Sequence, residues 1–226
     1  MRDIFIEELG ILAAENPDII LITGDLGFGV FEQFSENYPD QFLNVGVAEQ
    51  NMTMVAAGMA IEGKKIFTYS IGNFPTLRCL EHIRNDICYH NLDVTVVSIG
   101  GGFSYGQLGM SHHATEDLSI MRALPNIKVL VPGTLDEVRS AVRAIVKDNG
   151  PAYLRLDKSF ADIQKPLPYE FGKASIIREG CDVSLISCGG ILEESLKAAE
   201  ELSHEGINCR VILPNDGQAL YFGAGP

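Results

Sequence analysis

Glu49 stands in the run GVAEQNM, where a short apolar segment gives way to small residues with helical spacing. A carboxyl group in the first turn of a helix either compensates the helix dipole or serves as a placed proton carrier. Further along, GGGFSYGQLGMSHH (residues 100–113) ends in the pair His112 and His113. The glycine stretch is not a phosphate loop of the GxxxxGK[ST] kind, because no Lys follows, and no window of it gives GxGxxG. It reads as a flexible surface or active-site loop carrying two imidazoles. Asp25, Phe74 and Arg78 also follow apolar runs, and Arg155 lies near the end of one. Singly, each has a plain structural use: a helix cap, a core ring, a solvated cation. Falling together just after strands of one sheet, they favour a functional reading.

The elements that must position these residues are legible as alternation. Short apolar runs occupy residues 19–23, 42–45, 65–69, 94–99, 128–131, 152–156, 183–187 and 209–213. Most are continuous in Val, Ile and Leu, the pattern of strands buried on both faces. Helical patterns fill the gaps at 2–15, 49–61, 77–89, 115–123, 135–147 and 193–205, each ending near a Gly, Asn or Pro stop signal. Strand–helix–strand alternation predicts an α/β fold, a parallel sheet with helices on both faces. In such sheets ligands bind beyond the carboxyl ends of the strands, where the polar and glycine residues gather here. The segment 161–180 holds prolines and mixed charge and reads as a linker, with an edge strand expected near 173–177. It divides a first domain, 1–160, from a second part, 181–226. About 45 residues are few for an independent α/β domain, so the second part is expected to be incomplete or completed by another chain.

Composition narrows the function classes. Of 226 residues, 46% are hydrophobic and 21% charged, enough to bury a sizeable core. The formal charge of −13 disfavours nucleic acid as a partner. The five cysteines show no metal-binding spacing and, with no signal peptide apparent, read as reduced thiols of a cytoplasmic protein. No apolar run approaches the roughly 20 residues of a membrane span.

Taken in order, ITGDLG, FLNVGVAEQNM, AAGMAIEGKK, the run GGGFSYGQLGMSHHATEDLSIMRALPNIKVLVPG and PAYLRLDKS resemble the pyrimidine-binding domain of transketolases. The same domain occurs in 1-deoxyxylulose-5-phosphate synthase. The resemblance covers about residues 1–160, and the part up to 213 resembles the start of the transketolase C-terminal domain. It implies a thiamine diphosphate enzyme whose cofactor lies between two domains, one holding the diphosphate and a divalent metal, the other the aminopyrimidine ring. Glu49 matches the glutamate at the ring nitrogen opposite the amino group, where it favours the imino tautomer that activates the thiazolium. Phe74 is the match for the ring that stacks on the pyrimidine, with Tyr69 as the fallback because IGNF carries an apparent insertion. His112 matches a histidine at the reacting end of the substrate, and His113 falls where the family commonly has Gln. Asp25 matches an acidic residue near the thiazolium. Arg78 and Arg155 match arginines for a substrate phosphate.

No GDG metal motif is present, since Gly24-Asp25 is followed by Leu26. The metal, Mg²⁺ or alternatively Ca²⁺ or Mn²⁺, is therefore expected on a partner, an N-terminal subunit joined in a heterotetramer. Leu108 replaces an aspartate that reads a donor hydroxyl, and Gly100 or Gly101 falls where a His or Arg holds phosphate. The implied enzyme transfers a two-carbon ketol unit between sugars other than the ordinary pentose phosphates. Three other readings compete: the beta subunit of a 2-oxo-acid dehydrogenase decarboxylase, an acyloin-forming synthase and a non-catalytic module.

Overall fold

A computed structural model describes residues 1–163 and 169–217, so part of the expected linker and the end of the second part lie outside the described residues. The apolar runs of the first part become β1 (Ile19–Thr23), β2 (Phe42–Asn44), β3 (Lys65–Ile71), β4 (Val94–Ile99), β5 (Lys128–Leu130) and β6 (Ala152–Leu156). They form one parallel sheet in the order β2-β1-β3-β4-β6-β5.

Strand alternation sends successive side chains to opposite faces. Ile19 and Leu21 join Phe67 and Val97 in one buried layer, under α1 (Arg2–Glu15), α2 (Glu32–Asn37) and α6 (Leu135–Lys147). Ile20 and Ile22 join Ile66 and Val96 in the other. That layer lies under α3 (Glu49–Ile61), α5 (Asp117–Arg122) and the segments that flank the short α4 (Leu80–His82), through Cys79, Ile83, Ile87 and Cys88. Full burial of each large apolar side chain contributes about 1.5–3 kcal/mol. The small residues Ala56 and Ala57 bring α3 close onto the sheet.

Two expected helices differ. The span 77–89 is a 3₁₀ turn at Leu77–Cys79, the short α4 and a π-helical stretch at Ile83–Cys88. The widened turn keeps Cys79, Ile83, Ile87 and Cys88 all on the buried side. The helix expected from residue 115 starts later, as α5. A bridge between Gly102 and Ala114 holds the preceding chain extended.

Thr134 caps α6 by accepting the Glu137 N–H at 3.1 Å, while the Glu137 carboxylate reaches back to the Gly133 N–H at 2.7 Å. Burial pushes the Glu137 carboxyl up to about 8, against the lowering effect of that backbone bond.

The second sheet has the order β7-β9-β8, from β7 (Ala174–Arg178), β8 (Val183–Ile186) and β9 (Cys209–Pro214). β8 and β9 are parallel, joined by α7 (Leu192–His204); β7 is an edge strand, as expected near 173–177, and runs antiparallel to β9. Leu192, Ala199, Val211 and Leu213 make its core. A Cβ at Gly133 would lie 2.8 Å from Leu192 Cδ2, so that glycine lets α7 seat against the first sheet. All five cysteines are free. Among the described residues no helix is long and apolar enough to cross a membrane.

Candidate active site

Glu49 opens α3 directly after the turn that follows β2, so its carboxyl group sits at the positive end of a helix of 13 residues. It is 1% exposed. Oε2 accepts a 2.8 Å bond from Arg78 Nη1, and Oε1 lies 3.4 Å from Ser70 Oγ at the end of β3. A Cβ on Gly24 would lie 3.6 Å from Glu49 Cγ, so the β1 end forms the wall behind the carboxylate. The result is a desolvated acid with one charged partner, and that partner is half exposed.

From this acid a line of side chains runs along the rim. The Arg78 guanidinium carbon lies 5.2 Å from the centre of the Phe74 ring. Phe74 in turn meets the His112 ring edge-on, with centroids 5.0 Å apart. Ser111 Oγ lies 3.0 Å from His112 Nδ1, and Asn73 donates to the Ser111 carbonyl at 3.0 Å. The loop after β3 is thereby tied to the loop after β4. Glu49, Arg78, Phe74 and His112 are therefore one constellation. His113 is turned into its own loop, with Nε2 3.0 Å from the Gly106 carbonyl and its ring against Phe103.

The other expected residues are placed differently. Tyr69 is 4% exposed, packed edge-on to Phe31 at 4.5 Å in the α1 layer. It has no face to offer a ligand, and burial raises its hydroxyl well above the ordinary range. Phe74 is the half-buried ring at the rim. Asp25 is exposed in a left-handed conformation (φ 60°) beyond β1. It exchanges two 3.0 Å bonds with Asn44 at the end of β2, donating from its N–H and accepting on its carboxylate. Arg155 is only 12% exposed and lies between Asp117 and Asp157, at 3.4 and 3.6 Å. Burial works against its charge, but the two carboxylates outweigh it and hold the guanidinium charged. An arginine so engaged is not a ready phosphate holder.

Sequence reasoning passed over Lys158. Its side chain is exposed past β6, and its ammonium lies 3.8 Å from the centre of the Tyr105 ring in the glycine loop. The glycine run also has a packing cause. A Cβ at Gly100 would lie 2.4 Å from Tyr105, and one at Gly101 would lie 2.5 Å from Arg155 Nε. Leu108 is 53% exposed on the same loop.

Two domain families match consecutive parts of the chain. Residues 1–162 match the transketolase pyrimidine-binding domain and residues 172–216 the transketolase C-terminal domain. The chain is 31% identical to one of the subunits of an apulose-4-phosphate transketolase from Actinobacillus succinogenes, over 98% of this chain and 74% of that one. It is 35% identical to the 6-deoxy-6-sulfo-D-fructose transketolase subunit SqwH of a Clostridium species, covering 97% of this chain and 71% of that one. A solved structure described as a split gene transketolase, inactive beta4 tetramer, superposes with a TM-score of 0.86 at 35% identity. The overlap covers 95% of this chain and 71% of that one. With both domain matches covering most of its length, and relatives above 30% identity covered to more than two thirds, the chain belongs to the transketolase family.

Proposed function

We propose that this chain is the C-terminal subunit of a two-chain, thiamine diphosphate-dependent enzyme that moves a two-carbon ketol unit from a ketose to an aldose. The observation that carries the reading is the Glu49 carboxylate, buried at the start of α3 and bordered by the Phe74 ring through Arg78. The residues fit an aminopyrimidine: a dry carboxylate for a ring nitrogen and a half-buried aromatic face beside it. Family membership supports thiamine diphosphate itself. When bound, that cofactor supplies a nucleophilic carbon for reaction at a ketose carbonyl.

The chain's own residues then have separable tasks. Glu49 holds a proton at the pyrimidine nitrogen. Arg78 balances the carboxylate from the solvent side. His112 faces the reacting end of the sugar and exchanges a proton with a substrate hydroxyl, oriented by Phe74 and Ser111. Asp25 stands at the thiazolium end. Lys158, rather than the enclosed Arg155, is the cation placed to meet an anionic tail. His113 shapes the loop.

The substrate class follows from the same rim. Leu108 offers no acceptor to a donor hydroxyl, and Gly101 has no room for a phosphate-binding side chain. The donor is a ketose with an anionic tail, either phosphate or sulfonate, other than the ordinary pentose phosphate. The printed names of the two relatives, one a phosphate and one a sulfo sugar, support this class.

The metal and diphosphate belong to an N-terminal partner subunit, with Mg²⁺ the leading ion. The absence of a GDG motif and the charge of −13 support that division. Residues 1–160 form the pyrimidine-binding unit; of the segment 161–180 read as linker, β7 already pairs into the second sheet, so the second unit begins there, in a cytoplasmic heterotetramer. Val47, Met54 and Ile61 are 75, 54 and 65% exposed on and beside α3, an apolar face suited to that assembly.

The test is reconstitution with a diphosphate-domain chain and a panel of donors. Ketol transfer from anionic ketoses is expected. Oxidative decarboxylation of pyruvate as the main activity would overturn the reading. Xylulose 5-phosphate as the best donor, unaffected by Leu108→Asp, would overturn the substrate class.

A further inference from the structure

Beneath the glycine loop runs a buried chain of polar side chains. The Tyr153 hydroxyl donates to Asp117 Oδ2 at 2.6 Å. Arg155 Nη1 lies 3.4 Å from Asp117 Oδ1, and Arg155 Nε lies 3.6 Å from Asp157 Oδ1. Asp157 then accepts two backbone donors from different places. The Gly101 N–H reaches Oδ1 at 2.9 Å and the Gly190 N–H reaches Oδ2 at 2.8 Å. The side chains of Asp117, Arg155 and Asp157 are 2, 12 and 9% exposed. In so dry a place each bond to the carboxylate is stronger than at a surface, and each one broken leaves an amide without a partner.

The placement of these contacts matters more than their number. The loop of residues 102–114 closes on itself where Gly102 and Ala114 exchange backbone bonds of 2.7 and 3.0 Å. Gly101 lies just before that neck and Asp117 just beyond it. Arg155 and Asp157 therefore grip both feet of the loop that carries Tyr105, Leu108, His112 and His113. Gly190 belongs to the second unit, in the turn between β8 and α7. The backbones approach closely: an added Cβ would lie 2.6 Å from Asp157 Oδ1 at Gly101, 2.4 Å from Oδ2 at Gly189, and 2.1 Å from Ser159 Oγ at Gly190.

We infer that Asp157 is a positioning residue that clamps the His112 loop, and that its second oxygen makes the stability of that loop depend on the seating of the second sheet. The functional consequence rests on the reading of His112 as a substrate-facing group; the clamp itself does not. Asp157 touches no reacting atom in this account. It acts through the loop.

Two variants of the full chain test the clamp from its two sides. In Asp157→Asn the amide keeps one acceptor oxygen and cannot hold both N–H groups. Gly190→Ala acts from the second sheet alone, by forcing the turn off Ser159 and so off Asp157. Hydrogen exchange of the isolated chain is the first readout. In both variants the amides of 102–113 should exchange about tenfold faster, with β1 and β3 unchanged, as expected for loss of one charge-assisted bond. After reconstitution kcat should fall about tenfold with the donor KM within about threefold, the mark of a proton-exchanging group no longer held in place. Unchanged exchange in the loop overturns the clamp, and so does an equal rise across both sheets. If Asp157→Asn does not fold, Gly190→Ala decides alone: loosening confined to the second sheet overturns the coupling. An enzyme with no ketol transfer from any donor would remove the proposed activity, while the exchange result would still decide the clamp.

Discussion

Glu49 and His112 both reach the Phe74 ring, the first through Arg78 and the second directly, and they are held in different ways. Glu49 is rooted in a regular helix, walled by Gly24 and Ser70, and almost sealed from water. His112 sits on a glycine-rich loop whose order comes from a backbone bridge at the neck and a buried carboxylate beneath it. The contrast matches the two tasks proposed for them. An acid that must keep one proton in one place needs a dry, rigid seat. A group that meets variable sugars stands on a loop that can differ among relatives without disturbing the sheet.

The sharpest break of this contrast is Glu49→Gln. The amide fills the same seat but carries no acidic proton, so turnover of the reconstituted enzyme should fall by at least about 100-fold. Folding and assembly should persist, and more than half of wild-type activity would remove Glu49 from its role. On the loop side, His112→Ala should lower kcat about tenfold or more, with cofactor affinity unchanged by calorimetry. A matched loss of cofactor affinity would place His112 at the cofactor instead.

Arg78 sharpens the Glu49 half. Arg78→Met leaves a buried carboxylate with only Ser70 beside it and should cost about 2 kcal/mol of unfolding free energy. The double variant with Glu49→Gln should recover most of that loss in urea denaturation. Simple additivity would show that the pair is not coupled.

Glu137 gives the pH-dependent case. Its carboxyl is raised to about 8 in the folded chain, by burial. The folded state therefore holds a proton that the unfolded state releases above about 4.5. Stability from this group is present at low pH and is lost as pH rises through that window. Glu137→Gln should flatten the slope, with variant and wild type alike at pH 4.5 and the variant more stable near pH 8. A parallel offset at all pH values would contradict the assignment. The smallest effect is expected from Lys158→Met, an exposed cation. The KM for an anionic donor should rise only severalfold, worth about 1 kcal/mol, and the KM for a neutral analogue should not move.

The sequence carried the sheet well because its signal is local. Continuous runs such as residues 94–99 must be buried on both faces, and they are. The irregular helix over 77–88 was not legible, since the widened turn answers to packing of Ile83 and Ile87 against distant strands. Tyr69 was legible in hindsight. It shares strand parity with Phe67, and parity alone places both rings under α1. Arg155 was not, because its partners Asp117 and Asp157 meet it only through the fold. The glycines at 100 and 101 looked like missing phosphate contacts, whereas close approach of Tyr105 and Arg155 requires them.

The central claim is that this chain holds only the pyrimidine half of a cofactor site. Calorimetric titration of thiamine diphosphate with Mg²⁺ tests it most directly, first into the full chain alone and then into the chain mixed with a diphosphate-domain subunit. No micromolar binding to the chain alone is expected, because most of the ligand's charge lies on the diphosphate, and binding to the mixture should saturate. Micromolar binding to the isolated chain would contradict the claim.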